Sequence, residues 1–149
     1  ESFAYHLDLA RQRELPVIVH TRKAEQDTLK LMAQFPDVCG VLHCFTESWE
    51  MAEAALDMGF YISISGIVTF KNAASVRDVA ARVPEDRLLV ETDAPWLAPV
   101  PYRGKTNEPA FVADTARFIA ELRDVSLPDL AATTSANFTR LFPLTATSS

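Results

Sequence analysis

Cysteine is scarce in this sequence: Cys39 and Cys44 are the only two. If residues 39–45 form a strand, the pair lies about 16 Å apart at roughly 3.3 Å per residue, beyond disulfide reach. Two buried, reduced thiols are expected, as in a cytoplasmic protein. Basic charge is not in excess either. The formal net charge of −6 excludes a protein that coats nucleic acid by bulk attraction. It leaves room for a local basic cleft or one neutralised by metal. No apolar run is long enough to span a bilayer, and no signal-peptide pattern is visible. A cytoplasmic location with no membrane partner is therefore expected. Neither a G-x-G-x-x-G nor a P-loop follows any apolar run, which removes the usual support for a nucleotide-binding fold. No linker, low-complexity stretch or internal repeat divides the chain, so residues 1–149 are expected to form one domain.

What is present is an ordinary globular composition, 48% hydrophobic and 23% charged over 149 residues. That is enough for one sizeable core. Four short apolar runs read as strands: Leu15 to His20, Cys39 to Phe45, Phe60 to Gly66 and Arg87 to Asp93. Three show little alternation, as strands buried on both faces do. "FYISISG" alternates, so Ser63 and Ser65 are expected to share one face. Helical patterns follow each run. Leu29, Met32 and Ala33 recur after the first. Ser48 is placed to cap "WEMAEAALDM", with Gly59 just past its end. Asn72 is read as the cap of "AASVRDVAARV", with Val76, Val79 and Val83 inward. Asn107 is read as the cap of "EPAFVADTARFIAELRD", with Phe111, Phe118 and Leu122 inward. Two short helices, "LPDLAATTSA" and "FTRLF", close the chain. An amphipathic helix carrying Phe3, Leu7 and Ala10 opens it.

Strand and helix alternating four times imply a parallel α/β sheet, either doubly wound or a (β/α) barrel. The polar strand ends His20, His43, Ser65 and Asp93 favour the barrel, whose catalytic face lies at that edge. Four units are half of the eight a barrel needs, and the length is well short of about 250 residues. The pattern points to the C-terminal half of a (β/α)8 TIM barrel, and the chain is expected to be truncated at its N-terminus.

Each polar strand end has a structural reading when taken alone. His20 and His43 can be hydrogen-bonded core histidines, and Asp93 can cap the next turn. Parallel strands bring them to one rim, where two imidazoles and a carboxylate suit a divalent metal. Glu91 shares the strand parity of Asp93 and needs a cation, either at a metal site or from Arg22 or Lys71. His6 lies within a helix and is read as a surface residue. The loop from Ala94 to Thr106 is long and braced by Pro95, Pro99 and Pro101. Trp96 and Tyr102 can stack on a planar group, and Arg103 and Lys105 can grip phosphate. A rigid lid is the other reading of the same loop.

These residues carry a resemblance. "PVIVHTRKAEQDTL", "GVLHCFT", "GFYISISGIVTFKNA", "LLVETDAPWLAPVPYRGKTNEP" and "NFTRLF" occur in the order of the signatures of the TatD family of metal-dependent hydrolases. The chain resembles that family over essentially its whole length. The resemblance implies a metal-dependent hydrolase acting on phosphodiester bonds, a deoxyribonuclease of TatD type, with DNA or nucleotide as substrate. It implies two divalent ions (Mg, Mn or Zn), His20 and His43 holding one and Asp93 the other, with Asp93 also catalytic. Arg22, Lys71, Arg103 and Lys105 stand at positions suited to phosphate or structural contacts. The family's H-x-H pair and bridging Glu have no counterpart in the sequence. Two further departures are Lys23, where an acidic residue is common, and Glu47, where Gly is common. The alternatives are hydrolysis of another ester or amide, such as aminoacyl-tRNA esters, or an inactive half-barrel.

Overall fold

The structure, a computed structural model, describes residues 2–143. Four β-branched or leucine-rich segments pair as one sheet: β1 (Val17–Val19), β2 (Gly40–Leu42), β3 (Tyr61–Ile64) and β4 (Leu88–Val90). All pairings are parallel and the spatial order is β1-β2-β3-β4. Each pairing is bridged by one helix: α2 (Glu25–Met32), α3 (Trp49–Asp57) and α4 (Ala74–Arg82). Helix α1 (Ser2–Arg13) precedes β1, and α5 (Val112–Leu122) and α6 (Leu127–Leu141) follow β4. This is the parallel α/β arrangement that the strand–helix alternation predicts. The strands are shorter than the apolar runs, and the polar residues at the C-terminal end of each run form the rim.

Register separates the two faces. Val19, Leu42, Ile62 and Leu88 lie side by side, and with Ile64 they pack under the helical layer. Met32, Met51, Ala55, Val76, Val79, Val83 and Ile119 complete that core. Each Val, Leu, Ile or Met side chain so withdrawn from water is worth about 1.5–3 kcal/mol. On the opposite face Val41, Tyr61 and Leu89 meet Leu141 and Phe142 at the end of α6. Phe3, Leu7 and Ala10 of α1 pack with Val17 and Val38 in a third cluster, as the opening periodicity predicts.

Caps set the helix boundaries. Ser48 Oγ accepts from Met51 N at 3.2 Å and starts α3. Gly59 follows that helix at φ 84°, and its N–H closes on Leu56 O at 2.9 Å, a conformation that favours glycine. Four expectations are corrected. Asn72 does not cap α4: Ala73 holds that position without a side-chain bond. Asn107 does not cap α5, which starts at Val112 after a short 3-10 turn, Pro109–Phe111. Its inner face is Thr115, Ala116, Ile119 and Ala120, while Leu122 is exposed. The two short closing helices are one, α6. Asn137 sits inside α6, 1% exposed, and its amide donates to Glu85 O (2.7 Å) and Leu88 O (2.8 Å).

Candidate metal centre

The backbone ladder runs one step past the strands and positions the polar ends. His43 N donates to Val19 O at 2.9 Å, Phe45 N to Ser63 O at 3.0 Å and Glu91 N to Ile64 O at 3.1 Å. Side chains alternate along a strand. Ile18 and His20, Val41 and His43, Ser63 and Ser65, and Leu89, Glu91 and Asp93 therefore share the face opposite the helices. Val41, His43, Ser63, Leu89, Glu91 and Asp93 line a cleft there of about 270 Å³, together with Phe138 of α6 and Phe142 just past it. A wider groove of about 740 Å³ runs along β1 and α1 from Phe3 to His20.

Imidazole and carboxylate converge in the cleft. His43 Nδ1 lies 3.1 Å from Glu91 Oε1, and His43 Nε2 lies 3.2 Å from His20 Nδ1. His43, Glu91 and Asp93 offer donor atoms that all lie within 4.8 Å of one another. The expected trio was His20, His43 and Asp93. Among the described residues the group of three is His43, Glu91 and Asp93, with His20 joined through His43. Glu91 finds its partner in the His43 imidazole, not in Arg22 or Lys71. Its role was readable in outline from its parity with Asp93, but the register that sets it opposite His43 was not.

The donor chemistry fits a metal. Nitrogen and oxygen donors suit borderline to hard divalent cations. Two imidazole nitrogens 3.2 Å apart are spaced as two donors on one ion must be when each bond is roughly 2.0–2.1 Å. His43 and Glu91 are partly shielded, 28% and 18% exposed at the side chain, which strengthens their electrostatics.

The loop after Asp93 is held from both ends. Trp96 N donates to Asp93 O at 2.8 Å. Buried Asn107 donates through Nδ2 to Trp96 O at 2.7 Å, and its own N–H bonds Pro95 O at 3.0 Å. A Cβ on Gly66 would stand 2.6 Å from Leu97 O, so the loop seats closely on the turn after β3 only because that residue is glycine. Tyr102 stacks on Phe111 with centroids 4.0 Å apart. One face of the Tyr102 ring is taken by that stack. The Arg103 guanidinium lies 4.2 Å above the Phe70 ring. Trp96 is 72% exposed, and it lines a groove of about 480 Å³ with Phe70, Arg103 and Lys105. Arg22, Lys71 and Lys105 are exposed.

Two rim loops are latched to each other. Glu47 Oε1 accepts from Lys23 N, and Glu25 Oε1 accepts from Ser48 N, each at 2.7 Å. Lys23 takes a left-handed backbone, φ 53°. His6 lies on exposed α1, where its Nδ1 is 2.7 Å from Ser2 O. Among the described residues no helix is long and apolar enough to cross a membrane.

Known proteins share this architecture. Residues 1–143 match the family model described as TatD related DNase. The chain is 55% identical over 148 residues to the uncharacterized metal-dependent hydrolase YcfH of Escherichia coli K12, covering 98% of this chain and 56% of that protein. It is 43% identical over 144 residues to the uncharacterized metal-dependent hydrolase YabD of Bacillus subtilis, covering 95% and 56%. The chain thus spans about half the length of the curated relatives it matches. The crystal structure of YjjV, a TatD homolog from E. coli K12, superposes with a TM-score of 0.83 at 31% identity, covering 91% of this chain and 52% of that one. A TatD family hydrolase from Entamoeba histolytica shares the fold at TM-score 0.80 and 22% identity, covering 91% and 53%. Five ordered signatures, a parallel sheet with its polar ends at one rim and these likenesses agree: the chain belongs to the TatD family of metal-dependent hydrolases.

Proposed function

We propose that the chain supplies the metal-binding rim of a phosphodiester hydrolase, a cytoplasmic deoxyribonuclease of TatD type, and that residues 1–149 form the C-terminal half of its eight-stranded barrel. The observation that carries this reading is the convergence of His43, Glu91 and Asp93 on one cleft, with His20 against His43 at its side. The four-stranded parallel sheet and its overlap with about half of each relative support the half-barrel.

His20 and His43 would hold one divalent ion (Mg, Mn or Zn) and Asp93 a second. Such ions, when bound, polarise a phosphoryl oxygen and make water a nucleophile at neutral pH. Asp93 would also accept the proton of the attacking water. Trp96 offers its exposed face to a base. Arg22, Lys71, Arg103 and Lys105 supply positive charge for phosphates, which an acidic protein must concentrate locally.

The test joins this chain to the portion of YcfH that it does not match. The chimaera should cleave DNA oligonucleotides with Mn²⁺ or Mg²⁺ and lose that activity in EDTA. His20→Ala and His43→Ala should each lower metal content and activity by at least about tenfold, the cost typical of disturbing a metal's support, with the far-UV spectrum unchanged. Full metal occupancy and unaltered rates in both variants would defeat the assignment. Turnover of aminoacyl esters in place of DNA would redirect it to another substrate.

A further inference from the structure

We infer that Glu91 is a positioning residue, holding His43 as the tautomer protonated on Nδ1 so that Nε2 is the donor presented to metal beside His20 Nδ1. This rests on the metal reading of His20 and His43 and assigns Glu91 a place outside the ligand set.

The argument begins with donors and acceptors. An ionised carboxylate only accepts hydrogen bonds. Glu91 Oε1 lies 3.1 Å from His43 Nδ1, so Nδ1 carries the proton and Nε2 of the neutral ring carries the lone pair. That lone pair faces His20 Nδ1 at 3.2 Å. With His43 in that tautomer, His20 Nδ1–H is the donor that fits the 3.2 Å contact without metal. To bind metal, His20 loses its proton from Nδ1 and takes one up at Nε2 from solvent, which its exposure permits. Its charge is unchanged, and two lone pairs then face one point.

The fold holds the arrangement open. His43 and Glu91 stand one residue past the ends of β2 and β4, with β3 between those strands. Between them on this face stand Ser63 of β3 and, just past its end, Ser65, both buried. Their small side chains leave the space over which the imidazole and the carboxylate meet. Both backbones are fixed by ladder bonds at His43 N and Glu91 N. A metal-bound imidazole whose other nitrogen is held by a carboxylate has its ring orientation and basicity set by that partner. Glu91 also lies near enough to His43 and Asp93 to be a direct ligand, so the experiment must separate the two roles.

Glu91→Gln and Glu91→Ala do so. A glutamine amide oxygen accepts the same Nδ1–H bond but is a poor substitute for a carboxylate on a metal. In the metal-free 149-residue chain, ¹H–¹⁵N long-range NMR of the imidazoles should show His43 protonated on Nδ1 in the wild type and in Glu91→Gln. In Glu91→Ala the tautomers should mix. Co²⁺ titration should show affinity about 10–100-fold weaker in Glu91→Ala and largely restored in Glu91→Gln. A wild-type His43 protonated on Nε2 overturns the inference, as does a Glu91→Gln variant as weak as Glu91→Ala. A chain with the expected tautomer that binds no Co²⁺ defeats the underlying metal reading, and this inference with it. If Glu91→Ala does not fold, the near-isosteric glutamine variant still decides between the two roles.

Discussion

Two thiols five residues apart behave as different chemical species. Cys39, just before the first paired residue of β2, is exposed, against the expectation that both would be buried. Cys44 is buried, at φ 47°, with Sγ 3.3 Å from Ser65 Oγ. Burial pushes its thiol above the ordinary value of 9.0, Ser65 opposes that, and the charges of Glu91 and Asp93 reinforce it. Thiolate is the reactive form. At about pH 8.5 iodoacetamide should therefore label Cys39 in the native chain and spare Cys44 until urea unfolds it. Peptide mass mapping reads the result, and equal labelling of both would show that Cys44 is not shielded. The sign of the pH effect follows from the raised folded value. The stabilisation is fully present below pH 9.0 and is lost as pH climbs from there through the folded pKa. The urea midpoint should thus fall in alkali, and less steeply in Cys44→Ala.

Elements were legible where burial repeats and obscure where one polar residue acts over a long range. The four apolar runs and the Ser48 cap were readable, because β-branched strands and a serine before an apolar helix act locally. The sequence reads as two short closing helices, one on either side of Asn137. In the structure that amide is bonded to Glu85 O and Leu88 O, 52 and 49 residues away, and α6 passes through it uninterrupted. No local pattern announces such bonds. The same holds for Asn107, read as a cap but serving as the clamp of the loop beyond Asp93. It holds for Glu91 too, whose partner lies 48 residues back. Asn137→Ala should accordingly cost about 1–3 kcal/mol, the penalty for leaving buried carbonyls unpaired. Exposed Ser135→Ala should stay within about 0.5 kcal/mol. Urea denaturation of the two variants compares them, and equal midpoints would mean that the amide bonds contribute nothing.

At the scale of the molecule the sheet is bounded by β1 and β4. Ile18 in β1 is 66% exposed and Leu15 is 51% exposed, along the groove of about 740 Å³ beside α1. An apolar parallel edge of this kind invites pairing. The 149-residue chain alone should self-associate at tens of micromolar or so, within the range where exposed edges aggregate. Ile18→Lys should shift it toward monomer in sedimentation velocity. A wild type that sediments as a monomer would show the edge to be quiet. The rim latch reaches further than stability. The Lys23 N–H donates to the Glu47 carboxylate from the β1–α2 connection to the β2–α3 connection, and the Ser48 N–H donates back to the Glu25 carboxylate beside it. Natural variation should therefore treat these segments as one heritable block. A loop transplanted from a relative without its mate would arrive with half a clasp, so recombination that respects the pair should be the kind that survives.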